Sequence, residues 1–112
     1  MMKAIKIKKA GGPEVLELQE ITLRKPVKDE VLIEHAAIGL NYIDTYHRSG
    51  LYPLIFPSGL GMEAAGIIKE AGPDVKDFSV GDRVCYAGAP LGSYSTERNY
   101  PTKNLVKIKS IV

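Results

Sequence analysis

The chain has a single cysteine, Cys85, among its 112 residues. That excludes an internal disulfide framework and any zinc site assembled from several cysteines. There is no tryptophan and there are only two phenylalanines, so the usual platform for stacking nucleic-acid bases is missing. The formal net charge is only +2, from 15 basic and 13 acidic residues. The lysines of KAIKIKK, LRKPVK and NLVKIKS mostly alternate with apolar residues, as on a solvated strand face rather than a phosphate-binding stripe. No apolar run approaches the roughly 20 residues that cross a bilayer. The basic opening MMKAIKIKKAGG alternates where a signal peptide would carry a long apolar core. The expectation is a cytoplasmic protein that binds neither nucleic acid nor membrane.

What is present is the composition of one globular domain, 45% hydrophobic and 25% charged, with room for one modest core. Strand-like segments dominate. Residues 4–8 and 15–21 alternate, and EVLIEHAAIGL (residues 30–40) alternates and then turns continuously apolar, the pattern of a strand buried on both faces. AAGIIKEAG (64–72), DRVCYAG (82–88) and NLVKIK (104–109) complete the set. Gly11-Gly12-Pro13, Lys25-Pro26, Gly72-Pro73-Asp74, Val80-Gly81-Asp82 and Ala89-Pro90 punctuate them, which predicts a small barrel or sandwich. NYIDTYHRSG (41–50) differs. Ile43, Tyr46 and His47 stand at i, i+3 and i+4, and Arg48 and Gly50 follow, which predicts a short helix with a basic last turn and a glycine stop.

GLGMEAAG (59–66) has glycines at a spacing close to that of a dinucleotide-binding loop. Such a loop follows a strand and opens a helix, so that the phosphates meet the helix N-terminus. Here Glu63 stands at the intended helix start, where a carboxylate would repel a pyrophosphate, and AGIIKEAG reads as a strand. A turn into a strand is the better reading. Cys85, in a short apolar strand, reads as a small buried hydrophobe. His35 alternates outward from Val31 and Ile33 and reads as a surface residue. His47 has no cysteine or carboxylate at metal-ligand spacing. Asp44 lies beside Asn41, Tyr46 and Arg48 in one polar patch after an apolar strand. Tyr46 and Tyr52, six apart across Gly50, suit a flat, apolar ligand that accepts hydrogen bonds.

Taken together, KAGGPEVLEL, AIGLNYIDTYHRSGLYP, PSGLGMEAAGIIKEAGPDV, VGDRVCYAG and LGSYSTERNY resemble the zeta-crystallin-like NADPH:quinone oxidoreductases of the medium-chain dehydrogenase/reductase superfamily. The resemblance runs over essentially the whole chain. It implies a mainly β fold, a GroES-like, partly open β-barrel with one or two short helices, occupying residues 1–112 as the N-terminal part of a catalytic domain. It also implies a site: Asn41 beside the nicotinamide ring, Asp44 orienting in the same cofactor-side helix, and Tyr46 and Tyr52 lining the substrate cleft. Zinc-dependent members of the superfamily have cysteine where this chain has Asn41 and histidine where it has Met62. Neither replacement suits Zn²⁺, so no metal is expected. A quinone takes up hydride without Lewis-acid polarisation, and the protein need only stack it, exclude water and donate a hydrogen bond to the developing oxyanion.

Members of that family are about twice this length or more, beyond one typical domain. The part that carries their Rossmann domain and its glycine-rich loop has no counterpart in these residues. The expectation is therefore a catalytic-domain fragment, from a truncated or split gene or a deliberately shortened chain. On its own it should bind NADPH weakly, self-associate through an uncovered apolar face, and need a Rossmann-domain partner chain to act on a quinone-like molecule. The alternative is a GroES-like scaffold module that has lost catalysis. A zinc alcohol dehydrogenase remnant is disfavoured by Asn41 and Met62.

Overall fold

The computed structural model describes residues 2–109. Two antiparallel sheets make up the molecule. Strands β1 (Lys3–Ile7), β2 (Glu17–Glu20) and β4 (Ser58–Gly59) form one sheet in the order β2-β1-β4. Strands β3 (Glu30–Gly39), β5 (Glu63–Ala71), β6 (Arg83–Ala87), β7 (Glu97–Pro101) and β8 (Val106–Lys107) form the other, in the order β7-β3-β5-β6-β8. Among the described residues, one α-helix, α1 (Ile43–Ser49), and 3-10 turns at Pro13–Val15 and Thr102–Asn104 complete the fold. The sheets do not close into a barrel. They are stitched by residues 94–96: Ile5 N donates to Tyr94 O at 2.8 Å, and His35 N donates to Thr96 O at 2.9 Å. No helix among the described residues is long and apolar enough to cross a membrane.

Alternation puts one side chain set inside each strand. Val31 and Ile33 of β3, Ile68 of β5, Val84 of β6 and Tyr100 of β7 are fully buried in the larger core. Ile7, Val15 and Leu60 make a smaller core under β1. Each such aliphatic side chain contributes about 1.5–3 kcal/mol on leaving water. Two glycines are required by geometry. Gly61 has φ +96°, the left-handed region that turns the chain into β5. Gly66 pairs with His35 across the ladder, and a Cβ there would collide with the carbonyl oxygen of Glu34. The GLGMEAAG segment is thus a turn and a strand, as its β-branched continuation suggested, although Gly66 serves a close strand approach rather than a turn.

Two readings of the sequence need correction, and one strand was not read from it. The apolar run at the end of β3 is not buried on both faces: Ala36, Ala37, Ile38 and Leu40 are exposed. The β3–β5 register shifts between His35 and Ala37, while β7 pairs only as far as Glu34. Past this irregularity the strand leaves the core and loses its second neighbour. The strand expected over 104–109 shrinks to Val106–Lys107, because Thr102–Asn104 is a 3-10 turn. At the opposite edge of the sheet β7 forms from ERNYP, whose polar composition hides the fact that Tyr100 is fully buried. A proline is tolerated there because β7 is an edge strand.

Candidate functional site

The residues singled out for a site converge where β3 passes into α1. Tyr42 already has helical backbone angles, so Asn41 is the residue that caps the first turn. Its carbonyl accepts from Asp44 N at 3.0 Å, and its own N–H donates to Asp44 Oδ2 at 3.1 Å. The second of these is the return half of a capping box, in which the N3 side chain reaches back to the cap N–H; the Asn41 side chain does not supply the other half. Gly50, with φ +91°, stops the helix as its sequence suggested. The other end of α1 is tied down by Arg48. Its Nε donates to Gly11 O at 3.1 Å, and Gly11 N donates back to Arg48 O at 2.9 Å. Arg48 is therefore engaged in holding the helix.

Asp44 is the buried residue of α1, with only 5% of its surface exposed. Ile43, Tyr46 and His47, the expected apolar stripe, are half-buried instead. The carboxylate is held inside by Tyr94, whose hydroxyl donates to Asp44 Oδ2. Burial, reinforced by that carboxylate, pushes the Tyr94 phenol well above its ordinary range, so it stays protonated. Asp44 Oδ1 is buried with no hydrogen-bond partner among the described residues. Tyr94 is the residue the sequence reading missed. The only signal was the motif LGSYSTERNY, and spacing cannot show a contact across fifty residues of chain.

Asn41 itself is exposed, and its carboxamide makes no hydrogen bond among the described residues. Beside it the tyrosines form a row. Tyr42 and Tyr46 meet edge-on with centroids 5.3 Å apart, and Tyr46 and Tyr52 meet at 5.5 Å. Tyr52 N donates to Tyr46 O at 3.2 Å, which fixes the loop after α1 against the helix. His47 joins the end of the row, 5.9 Å from Tyr52. Tyr42 is 75% exposed, and Tyr52 is also open to solvent, so the row faces outward. Asn41, Ile43, Met62 and Glu63 also share the wall of a cavity of about 290 Å³ with Ala87 and Gly88. The two positions compared with zinc ligands are therefore neighbours in space. No group of three or more histidine, cysteine or acidic residues gathers among the described residues.

His35 is not a surface residue. It is half-buried, with Nδ1 donating to Ser95 O at 2.8 Å and Nε2 accepting from the Tyr86 hydroxyl at 2.8 Å. Outward alternation failed because residues 95–96 lie along β3 and cover it. Cys85 is half-buried rather than fully enclosed, on the wall of a cavity of about 620 Å³ with Ala65 and Val106.

The model of the alcohol dehydrogenase GroES-like domain matches residues 27–110. The chain belongs to this family. Among curated relatives of this GroES-like chain, quinone oxidoreductase 1 of Escherichia coli K12 is 52% identical over 100 residues, covering 88% of this chain and 31% of the relative. The 2-haloacrylate reductase of a Burkholderia species is 44% identical over 112 residues, covering 96% and 34%. The crystal structure of Escherichia coli quinone oxidoreductase complexed with NADPH superposes with a TM-score of 0.92 at 47% identity, covering 96% of this chain and 33% of that one. The GroES-like chain thus spans about a third of the length of the relatives it matches. The described residues form no Rossmann domain, and the chain's match to the quinone oxidoreductases is the one its motifs implied.

Proposed function

We propose that this chain is the substrate-side domain of an NADPH-dependent quinone reductase. The observation that carries the reading is the Tyr42–Tyr46–Tyr52 row beside an exposed, uncommitted Asn41. Similarity to quinone oxidoreductases supports it. The donor set suits the nicotinamide end of the cofactor, because the Asn41 carboxamide offers one donor group and one acceptor to a ring that bears the same group. It does not suit the phosphate end: GLGMEAAG, the nearest thing to a phosphate loop, runs into β5. When bound, the nicotinamide would supply the hydride. The chain's own residues hold and align the acceptor. Tyr46 and Tyr52 stack a flat ring and exclude water from it, and one of their hydroxyls donates a hydrogen bond to the oxygen that gains charge. Asp44 contributes by holding Asn41, since its carboxylate is enclosed and already engaged.

The remaining two thirds of the relatives' length would supply the phosphate site, so the chain alone should bind NADPH no better than in the millimolar range. Micromolar affinity in titration calorimetry would overturn that. The decisive experiment is a chimera in which this chain replaces the matching third of the Escherichia coli enzyme. NADPH oxidation that depends on 1,4-benzoquinone is expected. A folded chimera that binds NADPH without turnover would favour the scaffold reading instead. Including 2-haloacrylate tests the other acceptor class among the relatives, an electron-poor alkene.

A further inference from the structure

Asn41 is carried on the turn between β3 and α1, and its own side chain does nothing to fix where that turn lies. A series of contacts does, and it begins in GLGMEAAG. A Cβ on Gly61 would collide with Oγ of Ser93 and lie 2.5 Å from Cδ1 and 2.8 Å from Cε1 of Tyr94. The missing side chain leaves the space that the Ser93 hydroxyl and the Tyr94 ring share. Tyr94 is anchored at both backbone groups: its N–H donates to Leu60 O at 3.0 Å, and its carbonyl accepts from Ile5 N at 2.8 Å. From that anchorage its hydroxyl reaches Asp44 Oδ2, the same oxygen that accepts from Asn41 N. The other carboxylate oxygen has no partner among the described residues, so both donors converge on one oxygen, which has a lone pair for each.

We propose that Tyr94 is a positioning residue for this site, acting through Asp44 to fix the turn that presents Asn41. The inference rests on the reading of Asn41 as the nicotinamide-side group. Without the phenol, the Asp44 carboxylate is free to rotate and to offer either oxygen, and the turn loses its reference point. The raised affinity of the phenol for its proton keeps the contact in its donating form.

The test compares the ¹⁵N-labelled chain with its Tyr94→Phe, Asp44→Asn and doubly substituted forms. The Asn41 amide resonance should move in all three, no further in the double form than in Asp44→Asn, and its hydrogen exchange should quicken by about tenfold, while the β5 and β6 amides keep theirs. Additive shifts, or an Asn41 amide unmoved by Tyr94→Phe, would overturn the relay. If Tyr94→Phe does not fold, Asp44→Asn decides alone: the Tyr94 phenol must then titrate at lower pH than before, and an unchanged titration counts against the contact. In the chimera, each single form and the double form should lose kcat by the same factor, about fivefold or more, with KM for the quinone within about twofold. An undiminished kcat would overturn the positioning role. A chimera inactive before substitution would instead overturn the proposed function, and the amide signals would still decide the relay.

Discussion

At the scale of single residues, His35 links burial to pH. Burial lowers its pKa, the Ser95 carbonyl partly restores it, and the Arg98 charge lowers it again. Above its ordinary value of 6.5, His35 is neutral both folded and unfolded, and its contribution to stability is complete. As the pH falls below that value the unfolded chain takes up the proton first. Stability then declines until the folded histidine also titrates, by at most about 1.4 kcal/mol per pH unit. Between about pH 7.5 and about pH 5.5, urea unfolding should show a smaller stability loss for His35→Gln than for the unsubstituted chain. Equal losses would place the acid sensitivity elsewhere. Tyr94→Phe should cost about 1–3 kcal/mol, because it leaves a buried carboxylate one donor short; calorimetric unfolding measures it. Neither residue declared itself in the sequence, since alternation reports a strand's two faces and not what a distant loop lays over one of them.

Among the elements, the β3–β5 ladder is the spine of the larger sheet, and it depends on Gly66. The Glu34 backbone comes so close that even a methyl group has no room, and backbone cannot swing aside as a flexible side chain does. Gly66→Ala should therefore destabilise by about 1–3 kcal/mol, the usual penalty of overpacking, and should quicken amide exchange along β3 and β5. A neutral substitution would mean that the strands separate freely. Most elements were legible: the segments of β1, β2, β3, β5 and β6, and helix α1 with its glycine stop, follow from period and punctuation. Strand β7 was not. It is short, polar in composition and stabilised by pairing with β3 and by one buried ring, Tyr100, which stacks on Tyr86 with centroids 4.0 Å apart.

For the whole molecule, the end of β3 leaves a defect in the surface. Ala37–Gly39 pairs with β5 on one edge, and no described ladder covers the other. Leu40 (81% exposed) and Tyr42 continue this apolar border, and Ile55 (92%) is also uncovered. Groups of this kind are templates for association. The isolated chain should self-associate as its concentration rises, and Leu40→Lys should shift it toward monomer in light scattering. A monomer at high concentration without the substitution would contradict this. In the chimera the same face should be covered, so Leu40→Lys should weaken the joined protein rather than improve it. The radius of gyration, 14.2 Å, slightly exceeds the roughly 13 Å expected of a compact chain of this size, as open sheets would give.

By itself the sequence determined the segments of β1, β2, β3, β5 and β6, the helix with its glycine stop, and the turn and strand of GLGMEAAG, and it placed Asn41, Asp44, Tyr46 and Tyr52 within one short stretch of chain. These follow from local period, turn chemistry and motifs, which the chain carries along its own length. Only the tertiary structure decided that Asp44 is enclosed and held by Tyr94, that His35 is covered, and that the apolar end of β3 faces outward. Those outcomes depend on contacts between segments dozens of residues apart. A glycine such as Gly61 has no side chain to reveal in advance which ring will occupy the space it leaves.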